Sequence, residues 1–294
     1  MAKRSFNVFL NKKISSFNKI INVDPDKSIS IRSILIGSIS QNISTAKNVL
    51  ESLDVKSAIS SCKKLGVKIN KINHGHYKIY GKGLGSLSIK KNSILNFGNS
   101  GTLARLLIGI LATTPDIKVK LKGDHSLNKR SMKKLIYLMN SFGANFLPKN
   151  KFTFPLKMVS SKFPIGIKYI AGVSAQLKSA VILAGLNSFG KTEIIENEKS
   201  RDHTENILVK NKQVIKIKEK KNKTIEIFGK EQLKPIFIDV PGDPSSAAFF
   251  VSLTLLCKNS KIKIKNVGLN PTRMGFYKIL KSKNINFKFL NVKK

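Results

Sequence analysis

A small, serine-containing turn that leads into an apolar helical run occurs four times in this chain: DKSISIRSILIGSI, GNSGTLARLLIGIL, GVSAQLKSAVILAG and GDPSSAAFFVSLTL. Aligned on Ser28, Ser100, Ser174 and Ser245, the copies lie 72, 74 and 71 residues apart. So steady a period predicts equivalent modules sharing a core, because one module of this size cannot bury its apolar face alone. A second helix start falls inside each period, where Asp54, Asn128, Asp202 and Asn270 can serve as caps or near-caps. β-like stretches such as DIKVKLKG, KTEIIE and KIKIKNV separate the two helices. Each period therefore reads as helix, strand, helix, strand. The predicted class is α/β with four repeated subdomains, not one doubly wound sheet.

The turns have a chemical consequence. A helix N-terminus leaves backbone N–H groups unpaired, with the positive end of the helix dipole behind them, so several such turns in register form anion cradles. Arginine supports this reading. The chain has 54 Lys and Arg residues, yet only six are Arg: Arg4, Arg32, Arg105, Arg130, Arg201 and Arg273. The last five fall inside Ser-, Gly- or Asp-containing motifs. Arginine's planar fork binds phosphate or carboxylate through two bonds, a geometry that lysine cannot copy.

The net charge of +38 raises the possibility of nucleic acid as a partner. The excess lysine is spread along the whole chain with Asn and Ile, as a bias toward AT-rich codons would spread it, and aromatics are not interleaved with it as on a single-strand-binding face. Nucleic-acid binding on charge alone is the weaker alternative. The apolar runs stop short of the ~18 residues of a membrane span, and MAKRSFNVFLNKKI has no signal-peptide cleavage pattern. A cytoplasmic protein is expected. Cys62 and Cys257 have no paired spacing and read as free thiols. His74 and His76 fall in a predicted hairpin, and His125 and His203 flank motif turns, with no third ligand to complete a zinc site. No metal is expected.

Seven motifs in order resemble those of the EPSP synthase (3-phosphoshikimate 1-carboxyvinyltransferase) family: DKSISIR, GNSGT with Arg105, GDHSLNKRSM, SAQLKSAVILAGL, SRDHTE, PGDPSSAAFF and NPTRMG. The resemblance implies two domains of βαβαββ units with the active site between them. It implies transfer of the enolpyruvyl group of phosphoenolpyruvate to the 5-hydroxyl of shikimate 3-phosphate, with release of phosphate, no cofactor, and a monomer acting on small molecules. By the family pattern Lys27, Ser28, Arg32, Ser174, Ala175, Gln176, Ser200 and Arg201 would hold shikimate 3-phosphate. Lys27, Asn99, Gly101, Arg130 and Gln176 would line the phosphoenolpyruvate site, and Arg105 would brace the turn. The related UDP-N-acetylglucosamine enolpyruvyl transferases are the same-class alternative. Their reactive cysteine loop has no counterpart here, and GDHSLNKRSM with SAQLKSA favours the shikimate enzyme.

The implied domains are residues 1–24, opening the first domain; 25–240, a complete second domain of three units; and 241–294, the return to the first domain with one unit. The family has six units and this chain supplies four. After Asp243 the final 51 residues contain no Asp or Glu. The family's catalytic acid–base residues are therefore expected to be missing, and activity of this chain alone is not expected; a noncatalytic binder of the sugar-acid phosphate is the limiting case.

Overall fold

A computed structural model of the chain describes residue 9 and residues 14–219 and 222–292. The chain divides into two compact units, Pro25–Pro241 and a unit formed by Met1–Asp24 with Gly242–Lys294. A parallel pair of strands opens the second of these, beginning with β1 (Asn18–Asn22).

The larger unit contains three modules with one topology. The first has α1 (Lys27–Ile39), β2 (Ile43–Lys47), α2 (Leu53–Lys64), β3 (Lys68–Asn73) and β4 (His76–Tyr80). The second has β5 (Ile94–Asn96), α3 (Gly101–Ala112), β6 (Lys118–Lys122), α4 (His125–Asn128), α5 (Lys133–Ser141), β7 (Asn145–Leu147) and β8 (Leu156–Val159). The third has β9 (Lys168–Ala171), α6 (Ala175–Gly185), β10 (Lys191–Glu196), α7 (His203–Leu208), β11 (Ile215–Glu219) and β12 (Lys223–Phe228). β13 (Phe237–Asp239) closes the unit.

The three four-stranded sheets run β13-β2-β4-β3, β5-β6-β8-β7 and β9-β10-β12-β11. In each, a parallel pair is followed by two antiparallel pairings. The repeat is thus βαβαββ. The helix, strand, helix, strand pattern expected from sequence omits the short strand before each first helix and, apart from the hairpin expected at His74 and His76, which β3 and β4 form, merges the closing hairpin into one strand. Both omissions involve segments of three to six residues, too short for their period to register.

The first helix of each module is interior. Ser30 to Ile39 in α1 and Leu177 to Gly185 in α6 are all buried, and α3 exposes only Thr102 and Arg105 in part. Such all-round burial explains why these runs carry apolar residues on every face, whereas α2 and α5 bury a single stripe, Val55, Ala58 and Cys62 in one and Leu135, Ile136 and Met139 in the other. The sheets show one face to solvent. In β6, Val119 and Leu121 are buried while Lys118, Lys120 and Lys122 are exposed, so lysine occupies the outer face by simple alternation.

In the second unit β1 pairs in parallel with β14 (Lys261–Lys265), and α8 (Pro244–Leu256) and α9 (Gly275–Ser282) accompany them. This is the β, α, β, α beginning of a fourth module.

Candidate functional site

The N-termini of α1, α3 and α6 are built alike, but not in the register that aligning the serines suggests. Ser100 and Ser174 are true N-caps, their hydroxyls accepting from the N–H of Leu103 and Leu177. In the first and fourth modules the cap is an aspartate two residues earlier. Asp26 accepts from Ile29 N–H and Asp243 from Ser245 N–H, which puts Ser28 and Ser245 inside the first turn. Lys27 and Pro244 separate cap from serine, and proline is favoured at that first helical position. The residues expected as caps or near-caps of the second helices fall in different places. Asp54 lies within α2, after Ser52 at the cap position; Asn128 ends α4, whose cap is Asp124; and Asp202 sits at the cap of α7 without a side-chain capping bond. Asn270 does cap, accepting from Thr272 N–H at a short 3-10 turn.

At the N-terminus of α3 two guanidinium groups meet. Arg105 Nη1 reaches back one turn to donate to the Gly101 carbonyl at 3.1 Å. Arg130 Nη2 donates to Asn99 Oδ1 at 2.7 Å and to Ser126 Oγ at 3.2 Å. A Cβ on Gly101 would stand 2.8 Å from Arg105 Nη1 and 3.4 Å from Arg130 Nη1, so the absent side chain is what lets both arginines approach the turn. Burial, and then the like charge of Arg130, push the Arg105 guanidinium below its ordinary pKa. Among the described residues neither arginine forms an ion pair with a carboxylate. Two fixed cations at the positive end of a helix suit a phosphate or carboxylate, which would relieve their mutual repulsion.

Neighbouring elements extend this centre. Gln176 Nε2 donates to Thr102 Oγ1 at 2.9 Å, joining the first turn of α6 to that of α3. Lys27 at the start of α1 is ion-paired with Asp54 of α2 at 3.1 Å, and Ser57, one turn further along α2, lies under Gly98 in the GNSGT turn. Asn99, Gly101, Arg130 and Gln176 thus form one contiguous set, with Arg105 added to it, and α2 links Lys27 to the same turn.

Arg32 occupies a different setting. It is 3% exposed, and it donates through Nε to Thr204 Oγ1 at 2.8 Å, through Nη2 to Ser179 Oγ at 3.0 Å and through Nη1 to the Ser28 carbonyl at 3.0 Å. Ser200 is also buried, its N–H and hydroxyl both donating to Glu196 Oε1 at 2.8 Å, while Arg201 is exposed. Ser174 and Ala175 are half-buried at the start of α6.

One group of residues escapes a sequence reading. Lys178, fully buried in α6, lies 2.6 Å from Glu196 and 2.7 Å from Glu205, and Lys223 approaches the same two carboxylates at 3.7 and 4.0 Å. Burial pushes the Glu196 carboxyl up, but the Lys178 ammonium and the two Ser200 hydrogen bonds outweigh it and hold the group below its ordinary value. The available signal was the lone lysine in SAQLKSAVILAGL. A cation inside an otherwise apolar interior helix requires a buried counter-charge.

The sequence profile of EPSP synthase (3-phosphoshikimate 1-carboxyvinyltransferase) matches residues 11–289. Proteins named 3-phosphoshikimate 1-carboxyvinyltransferase are similar to the chain throughout. That of Bacillus velezensis is 41% identical over 272 residues, covering 92% of this chain and 62% of the relative. That of Zymomonas mobilis is 38% identical over 284 residues, covering 96% and 62%. A solved EPSP synthase from Acinetobacter baumannii superposes with a TM-score of 0.81 at 34% identity, covering 92% of this chain and 60% of that one. The chain thus spans 62% of the length of the curated relatives it matches. With the repeated βαβαββ modules, the paired arginines at the GNSGT turn and these similarities together, the chain belongs to the EPSP synthase family.

Proposed function

We propose that this chain is the substrate-binding part of a 3-phosphoshikimate 1-carboxyvinyltransferase. That enzyme moves the enolpyruvyl group of phosphoenolpyruvate to the 5-hydroxyl of shikimate 3-phosphate and releases phosphate. The observation that carries the reading is the convergence of Arg105 and Arg130 on Gly101 at the N-terminus of α3, tied through Thr102 and Gln176 to the start of α6. Lys27, Asn99, Gly101, Arg130 and Gln176 receive phosphoenolpyruvate. Lys27, Ser28, Arg32, Ser174, Ala175, Gln176, Ser200 and Arg201 receive shikimate 3-phosphate. Both substrates are polyanions, and donors already held in place stabilise charge that develops on them without reorganising. Proton transfer is assigned to the family's remaining segments, since positioned carboxylates in this site are engaged elsewhere, Asp54 with Lys27 and Glu196 with Lys178. The same reading makes residues 25–240 the complete domain, and the protein a cytoplasmic monomer that uses no cofactor and binds neither nucleic acid nor membrane. The outward alternation of lysine on the sheets supports a solvated role for the basic charge.

The test is calorimetric titration of the 294-residue chain with shikimate 3-phosphate, then phosphoenolpyruvate, together with a phosphate-release assay. Shikimate 3-phosphate is expected to bind. Arg130→Ala is expected to weaken phosphoenolpyruvate by about 10- to 100-fold, the worth of one charge-assisted contact. No phosphate release is expected from this chain alone. Failure of shikimate 3-phosphate to bind would overturn the reading.

A further inference from the structure

We propose that the buried cluster of Lys178, Glu196 and Glu205 is a positioning device that holds Arg32 and Ser200 in place to receive a phosphorylated substrate. The inference rests on the functional reading above. Its geometry is specific. A single ammonium joins three elements, since Lys178 lies on α6, Glu196 ends β10 and Glu205 belongs to α7. Lys223, on β12, brings the cluster to two positive and two negative charges.

Each cluster member is coupled to a site residue. Ser179 and Thr204, whose hydroxyls accept from Arg32 and are bonded to one another at 2.8 Å, are the immediate chain neighbours of Lys178 and Glu205. Fixing Lys178 against Glu205 therefore fixes the two side-chain hydroxyls that accept from the Arg32 guanidinium, which also donates to the Ser28 carbonyl. Glu196 does the same for Ser200 through its N–H and its hydroxyl. Stability alone gives no reason for such an arrangement. Buried ion pairs often contribute no more than apolar side chains of similar volume, whereas they impose one geometry on the elements that supply them. A guanidinium on a long, flexible side chain needs that constraint if it is to meet an anion without first being ordered.

The test uses the charge-balanced double variant Lys178→Met/Glu205→Gln, which leaves Glu196 with Lys223 and so avoids stranding a buried charge. Lys191→Met/Glu226→Gln, a pair on β10 and β12 outside the cluster, is the control. Thermal unfolding establishes that each variant is folded. Two readouts follow, the hydrogen-exchange protection of the Arg32 Nε–H by NMR, assigned with Arg32→Lys among only six arginines, and calorimetric affinity for shikimate 3-phosphate. The cluster variant is expected to lose the protection and about tenfold or more in affinity, as displacing a binding group by about 1 Å would do. In an Arg32→Ala background the same variant is expected to cost much less, because its effect passes through Arg32. The control is expected to change neither readout. Unchanged protection and affinity in a folded cluster variant would overturn the proposal, as would a loss that is fully additive with Arg32→Ala. If the wild-type chain does not bind shikimate 3-phosphate, the functional reading fails, and the Nε–H protection still decides whether the cluster holds Arg32.

Discussion

Replacing Gly109 with alanine tests whether the site depends on how closely two interior helices cross. Gly109 faces α6, and a Cβ there would lie 2.5 Å from the Ala180 carbonyl oxygen, 2.9 Å from its Cα and 3.0 Å from its carbonyl carbon. All three obstacles are backbone, so only separation of α3 from α6 by most of an ångström can relieve them. Overpacking of this kind costs about 1–3 kcal/mol, and the rigid obstacles put Gly109→Ala at the upper end. The better helix propensity of alanine returns about 1 kcal/mol, leaving a net destabilisation of about 2 kcal/mol. Gly37→Ala provides the comparison. Its Cβ would meet side-chain atoms of Ile79 and Ser44 at 3.0 to 3.4 Å, which can yield by a few tenths of an ångström, so that cost and propensity gain nearly cancel. For a unit of this size the difference corresponds to a Tm about 4–8 °C lower for Gly109→Ala than for Gly37→Ala, measured by thermal unfolding. Separating the helices also stretches the Gln176–Thr102 hydrogen bond, so phosphoenolpyruvate affinity is expected to fall in Gly109→Ala and not in Gly37→Ala. A Gly109→Ala protein as stable as Gly37→Ala would refute the argument.

Two further predictions concern titratable groups. Glu51 accepts from Lys71, Gly75 N–H and Tyr77, and the Lys71 hydrogen bond is the main reason its pKa falls from 4.5 to about 2. A depressed carboxyl adds stability that is complete above pH 4.5 and is lost as the pH falls toward 2. Glu51→Gln is therefore expected to reduce unfolding free energy at neutral pH by on the order of 1 kcal/mol, after allowing for solvent screening of Lys71, with the difference from wild type shrinking across that window. Equal pH dependence in denaturant titrations of the two proteins would refute it. Burial pushes the Cys62 thiol up to about 12, whereas Cys257 is only half-buried at the end of α8. Native-state alkylation followed by peptide mapping is expected to label Cys257 alone, with Cys62 reacting only after unfolding.

Local chemistry made the site partly legible. The GNSGT turn and the arginines kept in a lysine-rich chain each declare themselves over a few residues, because an anion cradle is assembled from one turn and its neighbours. The register of the caps was misleading for an equally local reason. Serine and aspartate cap equally well, so DKS and DPS offer two candidates each, and only the hydrogen bonds select Asp26 and Asp243. The Lys178 cluster was hidden because Glu196 and Glu205 look like ordinary surface acids until β10 and α7 are folded against α6.

By itself the sequence determined the module. A period of 71 to 74 residues, small capped turns and largely apolar first helices follow from steric and hydrophobic requirements that each copy meets within its own length. Tertiary structure alone decided how the strands are shared. β1 precedes α1 in the chain but pairs with β14, and β13 precedes α8 but pairs with β2, so each strand completes a module of its own unit and not that of the helix that follows it. Nothing local in NKIIN or FID specifies this. A strand of five residues or fewer has too few side chains to select one sheet, and its partner is fixed only when the helices of a unit have packed and left one edge open.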